Sequence, residues 1–309
     1  MNREQFKAIC RKTQNELKSY VVTKLKKKYS DIYVNKDFVY AKGTVPICLV
    51  AHLDTVHAEV PQVFVEEEDK ISSPQGIGGD DRCGVYAILQ IIQKHNCSVI
   101  FCCDEEIGGV GASMFAKTTL ASQAEFQYMI ELDRKGKTDA VFYDCDNPQF
   151  TGFITDFGPW TENYGTFSDI SYLAPAIGCA AVNLSVGYYN QHTLKEYVVP
   201  SEVDYCIDSV CRLIEATKDT DVYEYIEAEV EPYYYGYKNY GYSSSRYYYD
   251  DEDTYLVQWE DDDGKMHYEE LEARSQLEAI GKFVVSHEDV PFRKIFDVLN
   301  ESAYAYDMR

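Results

Sequence analysis

Three short apolar runs, residues 45–51 (VPICLVA), 98–103 (SVIFCC) and 128–132 (YMIEL), each stop against a histidine or an acid: His52, Asp104 and Asp133. Runs this short and this apolar fit strands buried on both faces, and segments of helical periodicity lie between them. Residues 84–95 are helix-like, GGVGASMFAKTTLAS reads as a loop and helix, residues 180–185 as a late strand and residues 203–218 as a closing helix. The alternation predicts an α/β fold with a mixed, largely parallel central sheet flanked by helices, and its strand ends gather polar side chains at one edge. Upstream, Phe6, Ile9, Leu17, Val21 and Leu25 recur near helical spacing and predict one amphipathic surface helix, followed by extended segments at 32–40 and 62–65.

The 309 residues exceed the roughly 200 that suffice for a substantial core, so one large domain plus an appendage is expected. The opening MNREQFKAICRKTQNELK is charged rather than signal-like, and no run nears the roughly 18 apolar residues of a membrane span. Ten cysteines are scattered without a disulfide framework or a finger spacing, which fits reduced thiols and argues against a thiolate zinc site. A soluble, cytoplasmic protein is expected. The formal net charge of −23 argues against nucleic acid or an anionic membrane as a partner.

Acidity concentrates toward the C-terminus. From residue 221 onward 22 acids and 8 bases give −14, against 30 acids and 21 bases, or −9, before it. Residues 223–255 hold 12 of the 28 tyrosines, interleaved with Gly and Ser, a low-complexity composition that reads as a linker. Three regions follow: a main domain over 1–220, a Tyr-rich acidic linker over 221–254, and a small C-terminal α+β module over 255–309. In the module TYLVQWEDDDGKMHYEEL has the strand, Asp-Gly, strand pattern of a hairpin, while SQLEAIGKFVVSH and FRKIFDVLN have helix-like periodicity. A protein partner, or self-association, would use this C-terminal region.

The chemistry-bearing residues come in five motifs. In AHLDTV, His52 and Asp54 lie two residues apart, so an extended chain projects both from one face and the carboxylate can orient a metal-ligating imidazole. GGDDRCG sets paired carboxylates after a glycine turn. Asp80 is the candidate to place one oxygen on each of two cations, which at about 3.5–4 Å apart need a shared anion to offset their repulsion. Asp81 and Arg82 read as a helix N-terminal charge and a salt bridge. CDEEIGG follows a buried strand, so its acids emerge at the sheet's carboxyl edge, with Glu106 assigned to metal and Glu105, held off it, to a general base. IELDRKG puts Asp133 just past a strand, with Glu131 inside the strand facing another wall or solvent. GYYNQHTLKEYV supplies His192, with Glu196 four residues on as its supporting partner. Each motif alone also reads as an ordinary solvated turn or loop; their ordered combination points to a two-metal hydrolytic centre.

The series AHLDTV, GGDDRCG, DEEIGG, IELD and NQHTLKE resembles that of the co-catalytic zinc exopeptidases of metallopeptidase clan MH, a grouping that includes tripeptidases similar to peptidase T, leucyl-type aminopeptidases and related deacylases. The likeness covers about residues 40–215. It implies one zinc on His52, Asp80 and Asp133 and another on Asp80, Glu106 and His192, with cobalt or manganese as alternative metals, Asp54 as the orienting acid and Glu105 as the base. Successive candidate ligands lie 28, 26, 27 and 59 residues apart, intervals too short for the inserted domains of lid-bearing members, so the plan is closest to single-domain aminopeptidases. GTFSDI, with Thr166, Ser168 and Asp169, resembles a family segment near the substrate, and Tyr164 or Tyr189 is the candidate oxyanion donor in place of a lid histidine.

The expected function is metal-dependent cleavage of a peptide bond by an aminopeptidase or other exopeptidase. Two alternatives are a deacylase or amidohydrolase acting on a small non-peptide amide, and a binding protein without turnover that works through its acidic Tyr-rich tail.

Overall fold

The computed structural model of the chain describes residues 1–228, 253–260, 266–273, 282–283, 286 and 295–300. The chain divides into two compact units, Met1–Pro232 and Tyr233–Arg309.

Helix formation begins twice at the N-terminus. Helix α1 (Arg3–Cys10) starts at Asn2, whose side chain accepts the Gln5 N–H, and α2 (Gln14–Leu25) starts at Thr13 with a reciprocal Thr13–Glu16 capping box. The single helix expected here is therefore broken, because Thr13 takes extended backbone and nucleates a new helix; apolar residues of both halves still enter one core. The segment expected to be extended over 32–40 is a hairpin of β1 (Ile32–Val34) and β2 (Phe38–Ala41), turned by the Asn35 carboxamide, which accepts the N–H of Asp37 and of Phe38.

Strand β3 (Val45–His52) follows, then the short β4 (Val65–Glu67) and β5 (Lys70–Ser72), α3 (Gly79–Lys94), β6 (Cys97–Cys102), α4 (Val110–Ala116), α5 (Thr119–Ser122) and β7 (Tyr128–Arg134). The remainder of the unit is β8 (Asp139–Val141), α6 (Pro148–Phe157), β9 (Thr161–Asn163), α7 (Ile170–Ile177), β10 (Ala181–Ser185), β11 (Tyr188–Tyr189), β12 (Tyr197–Val198) and α8 (Pro200–Ala216). Eight strands form the main sheet in the order β1-β2-β6-β3-β7-β10-β8-β9, with β6, β3, β7 and β10 mutually parallel at its centre. This is the mixed, largely parallel sheet expected. A small antiparallel sheet, β11-β12-β5-β4, stands beside it.

Helices cover both faces, which is why the central strands carry no polar alternation. Ile47, Leu49 and Ala51 of β3 and Tyr128, Ile130 and Leu132 of β7 enter one core with α1, α2, α3 and α8. Cys48 and Val50 of β3, Met129 of β7 and Ile100 and Cys102 of β6 enter the other, against α4, α5 and α7. Full burial of each such side chain contributes about 1.5–3 kcal/mol, so the sheet centre is a rigid platform for whatever its ends carry. Between Asp133 and β10 the chain is spent on β8, α6, β9 and α7, all built into these layers, and no lid domain is inserted there. All ten cysteines are buried and unpaired.

Past α8 the chain stays on this unit. The Tyr223 ring lies 5.2 Å from that of Phe150 and 5.3 Å from that of Phe153, and isolated bridges join Glu224 to Cys179 and Glu227 to Cys145. The boundary expected at residue 220 thus falls inside the first unit. The Tyr-rich residues 229–252 lie outside the described residues.

In the second unit β13 (Asp253–Glu260), β14 (Met266–Ala273) and β15 (Ile295–Asn300) form an antiparallel sheet in the order β14-β13-β15. The β13–β14 hairpin is the one expected. Strand β15 corrects the helical expectation for FRKIFDVLN: so short an apolar run suits either period, and pairing along the free edge of β13 decides it. Of the stretch SQLEAIGKFVVSH, residues 282, 283 and 286 are described, all helical.

Candidate metal centre

The parallel strands β3, β6, β7 and β10 all end at one edge of the sheet, so the turns that follow them converge. His52 is the last residue of β3, Glu105 and Glu106 lie in the turn after β6, Asp133 is near the end of β7, and His192 is in the loop between β11 and β12. Asp80 and Asp81 open α3, whose first turn is not yet helical in φ and ψ at these two residues.

Asp80 faces two histidines at once. Its Oδ1 lies 3.0 Å from His52 Nε2 and its Oδ2 lies 3.2 Å from His192 Nε2. Asp133 Oδ1 is 3.6 Å from His52 Nε2, and Glu106 Oε2 is 3.1 Å from His192 Nε2. Two trios result, His52–Asp80–Asp133 and Asp80–Glu106–His192, and within each the ligand atoms lie within 4.8 Å of one another. The five candidate ligands taken from the sequence are thus brought together as two groups sharing one carboxylate.

Opposite charges dominate this cluster. Burial alone would raise the Asp80 pKa, but the hydrogen bonds to His192 and His52 hold its carboxyl well below the usual range. Burial would lower His52, yet Asp133, with Asp54 and Asp80 also in hydrogen-bonding contact, raises it well above its ordinary value. Hydrogen bonds to Asp80 and Glu106 push His192 up to about 10. Asp133 is lifted to about 7 by burial and by Asp80, against the pull of His52. Glu105 reaches about 9 through burial, with Asp133, Asp169 and Glu106 adding and His52 opposing. Acceptors outnumber donors here, and Glu106 Oε1 is buried with no hydrogen-bond partner. Two imidazoles and three carboxylates in this arrangement suit divalent cations that accept mixed nitrogen and oxygen ligands, zinc among them.

A supporting layer fixes these groups. Asp54 Oδ1 lies 3.2 Å from His52 Nδ1, as the H-x-D spacing predicts, and the same carboxylate accepts the backbone N–H groups of Glu105 and Glu106 at 3.0 Å each. Asp81 stands in the first turn of α3, as expected, whereas Arg82 bonds backbone carbonyls in place of the salt bridge expected. Both are buried: Asp81 accepts the N–H groups of His52 and Gly84 at 3.3 and 2.8 Å, and Arg82 donates to the carbonyls of Leu53, Asp54 and Lys12 at 2.6, 2.9 and 3.2 Å. Glu196 does not support His192 directly. Its Oε1 accepts the Asp80 N–H and its Oε2 the Gly78 N–H, each at 2.9 Å, and Oε2 also lies 2.9 Å from His57 Nε2. It therefore grips the loop that carries Asp80.

Several supporting residues, Ser168 apart, escape the sequence reading, and Ser168 serves in a role other than the one expected. Ser168 Oγ donates to Asp133 Oδ2 at 3.2 Å and Tyr188 Oη to Asp133 Oδ1 at 3.1 Å, while the Asn183 carboxamide bonds both the N–H and the carbonyl of Asp133. Asn183 did leave a trace, as the polar residue inside the buried run AAVNLS. The Gln14 carboxamide pairs reciprocally with Asp104, at 2.7 Å to its carboxylate and 2.9 Å from its N–H, and so ties α2 to the turn before Glu105. Asp104 and His192 hold left-handed backbone at φ 59° and 62°, each a strain of about 1 kcal/mol or more that the surrounding bonds must offset.

The substrate-side expectations fare unevenly. Ser168 is at the centre, but its hydroxyl serves Asp133. Asp169 is fully buried beside the Cys102 thiol and faces no opening. Tyr189 donates its hydroxyl to Glu202 at 2.6 Å and stacks on Tyr197, which removes it as an oxyanion donor. Thr166 and Tyr164 are exposed. Glu131 does not reach solvent: it is fully buried, where burial and the charges of Asp133 and Asp169 push its carboxyl well above the usual range.

Among the described residues no helix is long and apolar enough to cross a membrane. No protein-family model matches the sequence, and no curated protein matches it. Solved structures do match in fold. Aminopeptidase PepT of Bacillus cereus superposes with a TM-score of 0.54 at 14% identity, over 69% of this chain and 96% of that one. A tripeptidase of Staphylococcus aureus gives 0.54 at 14% over 68% and 96%, and aminopeptidase APDkam598 of the archaeon Desulfurococcus kamchatkensis gives 0.53 at 16% over 69% and 94%. The chain has the fold of these aminopeptidases, and the carboxyl edge of its parallel strands carries two groups of side chains, sharing Asp80, that could hold a metal ion.

Proposed function

We propose that this protein is a metal-dependent exopeptidase, an aminopeptidase that works with two zinc ions, cobalt or manganese being the alternative metals. One observation carries the reading: Asp80 turns one carboxylate oxygen to each of two histidines, and each histidine is faced by a further acid. His52, Asp80 and Asp133 would hold one cation, and Asp80, Glu106 and His192 the other. When bound, such a pair polarises a scissile carbonyl and lowers the pKa of a shared water to about 7.

The chain's own residues do the rest. Asp54 orients the His52 ring and, through the backbone of Glu105 and Glu106, sets one glutamate for the metal and leaves the other free. Glu105 belongs to neither trio. Without metal its carboxyl is lifted to about 9; the positive charge of cations held by the neighbouring trios would bring it down, and ionised it takes the proton of the attacking water and returns it to the leaving amine. The solved proteins of this fold are named aminopeptidase and tripeptidase, which favours a peptide over a small non-peptide amide as substrate. The unpaired cysteines favour the cytoplasm. A protein partner or self-association is assigned to the C-terminal region on its charge and tyrosines.

Metal content per chain, measured with hydrolysis of aminoacyl and acyl-amino amides before and after chelation, tests this. Two zinc ions per chain and activity on free amino termini that chelation removes are expected. Glu105→Gln should keep its metal and lose about 10²–10⁴-fold in turnover. A chain that binds no metal overturns the reading, full turnover in Glu105→Gln removes the base, and cleavage confined to acylated substrates makes it a deacylase.

A further inference from the structure

Helix α2 ends in a run of lysines although the first 220 residues carry a net charge of −9: Lys24, Lys26, Lys27 and Lys28 fall within five positions. The turn past Leu25 keeps winding, with the Lys27 N–H on the Lys24 carbonyl at 3.2 Å and the Lys28 N–H on the Leu25 carbonyl at 2.9 Å, which carries Lys24, Lys27 and Lys28 to one side. A single cation there answers the helix dipole. Three exceed that need, because like charges three and four residues apart repel.

These three lysines line one cavity of about 450 Å³ where α1, α2 and α3 meet. Leu89 and Ile92 of α3, 3% and 4% exposed, make its apolar floor, and Gln5 of α1 and Gln93 of α3 each bring a carboxamide to it. Lys7 of α1 and Lys94 of α3 have carboxylate partners, Glu4 and Glu66 for the first and Asp208 for the second. Among the described residues Lys24, Lys27 and Lys28 have none, and Lys24 Nζ stands over the Tyr20 ring, 5.0 Å from its centroid. Leu89 lies nine residues past Asp80 in α3, roughly 13 Å along the helix, so the cavity is apart from the metal centre.

We propose that this cavity binds a nucleoside di- or triphosphate, with its phosphates on Lys24, Lys27 and Lys28 and its base over Leu89 and Ile92. Three unpaired ammonium groups call for a ligand with several negative charges, and lysine serves phosphate as a point charge. The volume lies within the roughly 300–1,000 Å³ of sites that enclose small organic ligands. Inorganic phosphate would answer the charge but leave the apolar floor and the carboxamides unused. A fatty anion would cover the floor, yet it brings one charge to three cations and nothing for Gln5 and Gln93. A nucleotide uses all three features, since a glutamine carboxamide can both donate to and accept from a base edge. The inference stands independently of the peptidase reading.

Calorimetry on the metal-loaded full chain with ATP, tripolyphosphate and adenosine tests this. ATP should bind about tenfold or more tighter than either of the other two, and added salt should weaken it. The double variant Lys27→Ala, Lys28→Ala changes two exposed side chains, so it should keep its melting temperature while its ATP affinity falls about tenfold or more. Gln93→Glu, also at an exposed position, should weaken ATP by adding a negative charge to the cavity. No binding of ATP overturns the proposal. Tripolyphosphate binding as tightly as ATP leaves only bare charge attraction and overturns the nucleotide. ATP affinity unmoved in both variants puts the ligand elsewhere, on the bound cations for one, and overturns the cavity.

Discussion

Glu196 Oε1 accepts the backbone N–H of Asp80 at 2.9 Å, so the fourth residue after His192 grips the backbone of the same carboxylate that His192 faces. With Oε2 on the Gly78 N–H and against His57, this buried glutamate sets where Asp80 stands without being in either trio. Removing such an outer partner typically weakens metal affinity by about 10–100-fold. Glu196→Ala should show that loss in a metal titration while His192 is untouched, and wild-type affinity in the variant would reduce Glu196 to a loop anchor.

Arg82 is fully buried and holds three carbonyls from two separate segments, Lys12 on one side and Leu53 and Asp54 on the other. Burial lowers its pKa, though nearby Cys10 and carboxylates oppose that. Truncation would orphan three buried acceptors and leave a void, so Arg82→Ala should destabilise the chain by about 3–5 kcal/mol. Chemical denaturation reads this directly; a loss below about 1 kcal/mol would mean that water replaces the guanidinium.

The sheet and the five candidate ligands were legible because they depend on local signals: apolar runs for the central strands, and a histidine or acid where each run ends. The H-x-D spacing even gave the His52–Asp54 contact. What stayed hidden is long-range or statistical. Thr13 breaks a helix whose apolar periodicity runs straight through it, because a cap acts on backbone that periodicity does not see. Glu196 reads as a neighbour of His192 in sequence, but its partners Gly78 and Asp80 lie more than a hundred residues away. Asp81 and Arg82 read as no more than a helix N-terminal charge and a salt bridge because composition cannot show that backbone amides and carbonyls await them in the interior. Tyr189 fails as an oxyanion donor for the same reason, its hydroxyl being claimed by Glu202.

Tyr223 belongs by composition to the Tyr-rich stretch, yet its ring packs among Tyr128, Phe150 and Phe153, and the Tyr223 N–H donates to the Gln127 carbonyl at 2.9 Å. A half-buried aromatic ring with three ring neighbours is worth about 2–3 kcal/mol against alanine. Tyr223→Ala should lower stability by that amount. A chain cut after residue 220 should lose at least as much, whereas one cut after residue 228 keeps the contact; equal melting temperatures for the two truncations would show that this segment adds nothing to the first unit.

Before metal binds, protons hold the centre together. His192 is pushed up to about 10 by its hydrogen bonds to Asp80 and Glu106, and His52 is raised well above its ordinary value by Asp133 and its other carboxylate partners against the effect of burial, so both imidazoles favour their protonated form in the folded chain. Ligation needs neutral imidazoles and ionised carboxylates, so cations must displace protons, and calorimetry at pH 7 in buffers of different ionisation enthalpy should report net proton release. The same shifts set the sign of the pH dependence. A histidine whose folded pKa lies above the ordinary 6.5 contributes stability that is complete below that value and lost as pH rises toward about 10. Glu105, lifted to about 9 chiefly by burial, acts in the same direction, since its ionisation disfavours the folded state. The metal-free chain should therefore melt at a lower temperature at pH 9 than at pH 7, and the metal-loaded chain, its imidazoles already neutral, should not follow it. Parallel melting curves for the two forms across this window, with no proton release on titration, would mean that the histidines are neutral before any cation arrives.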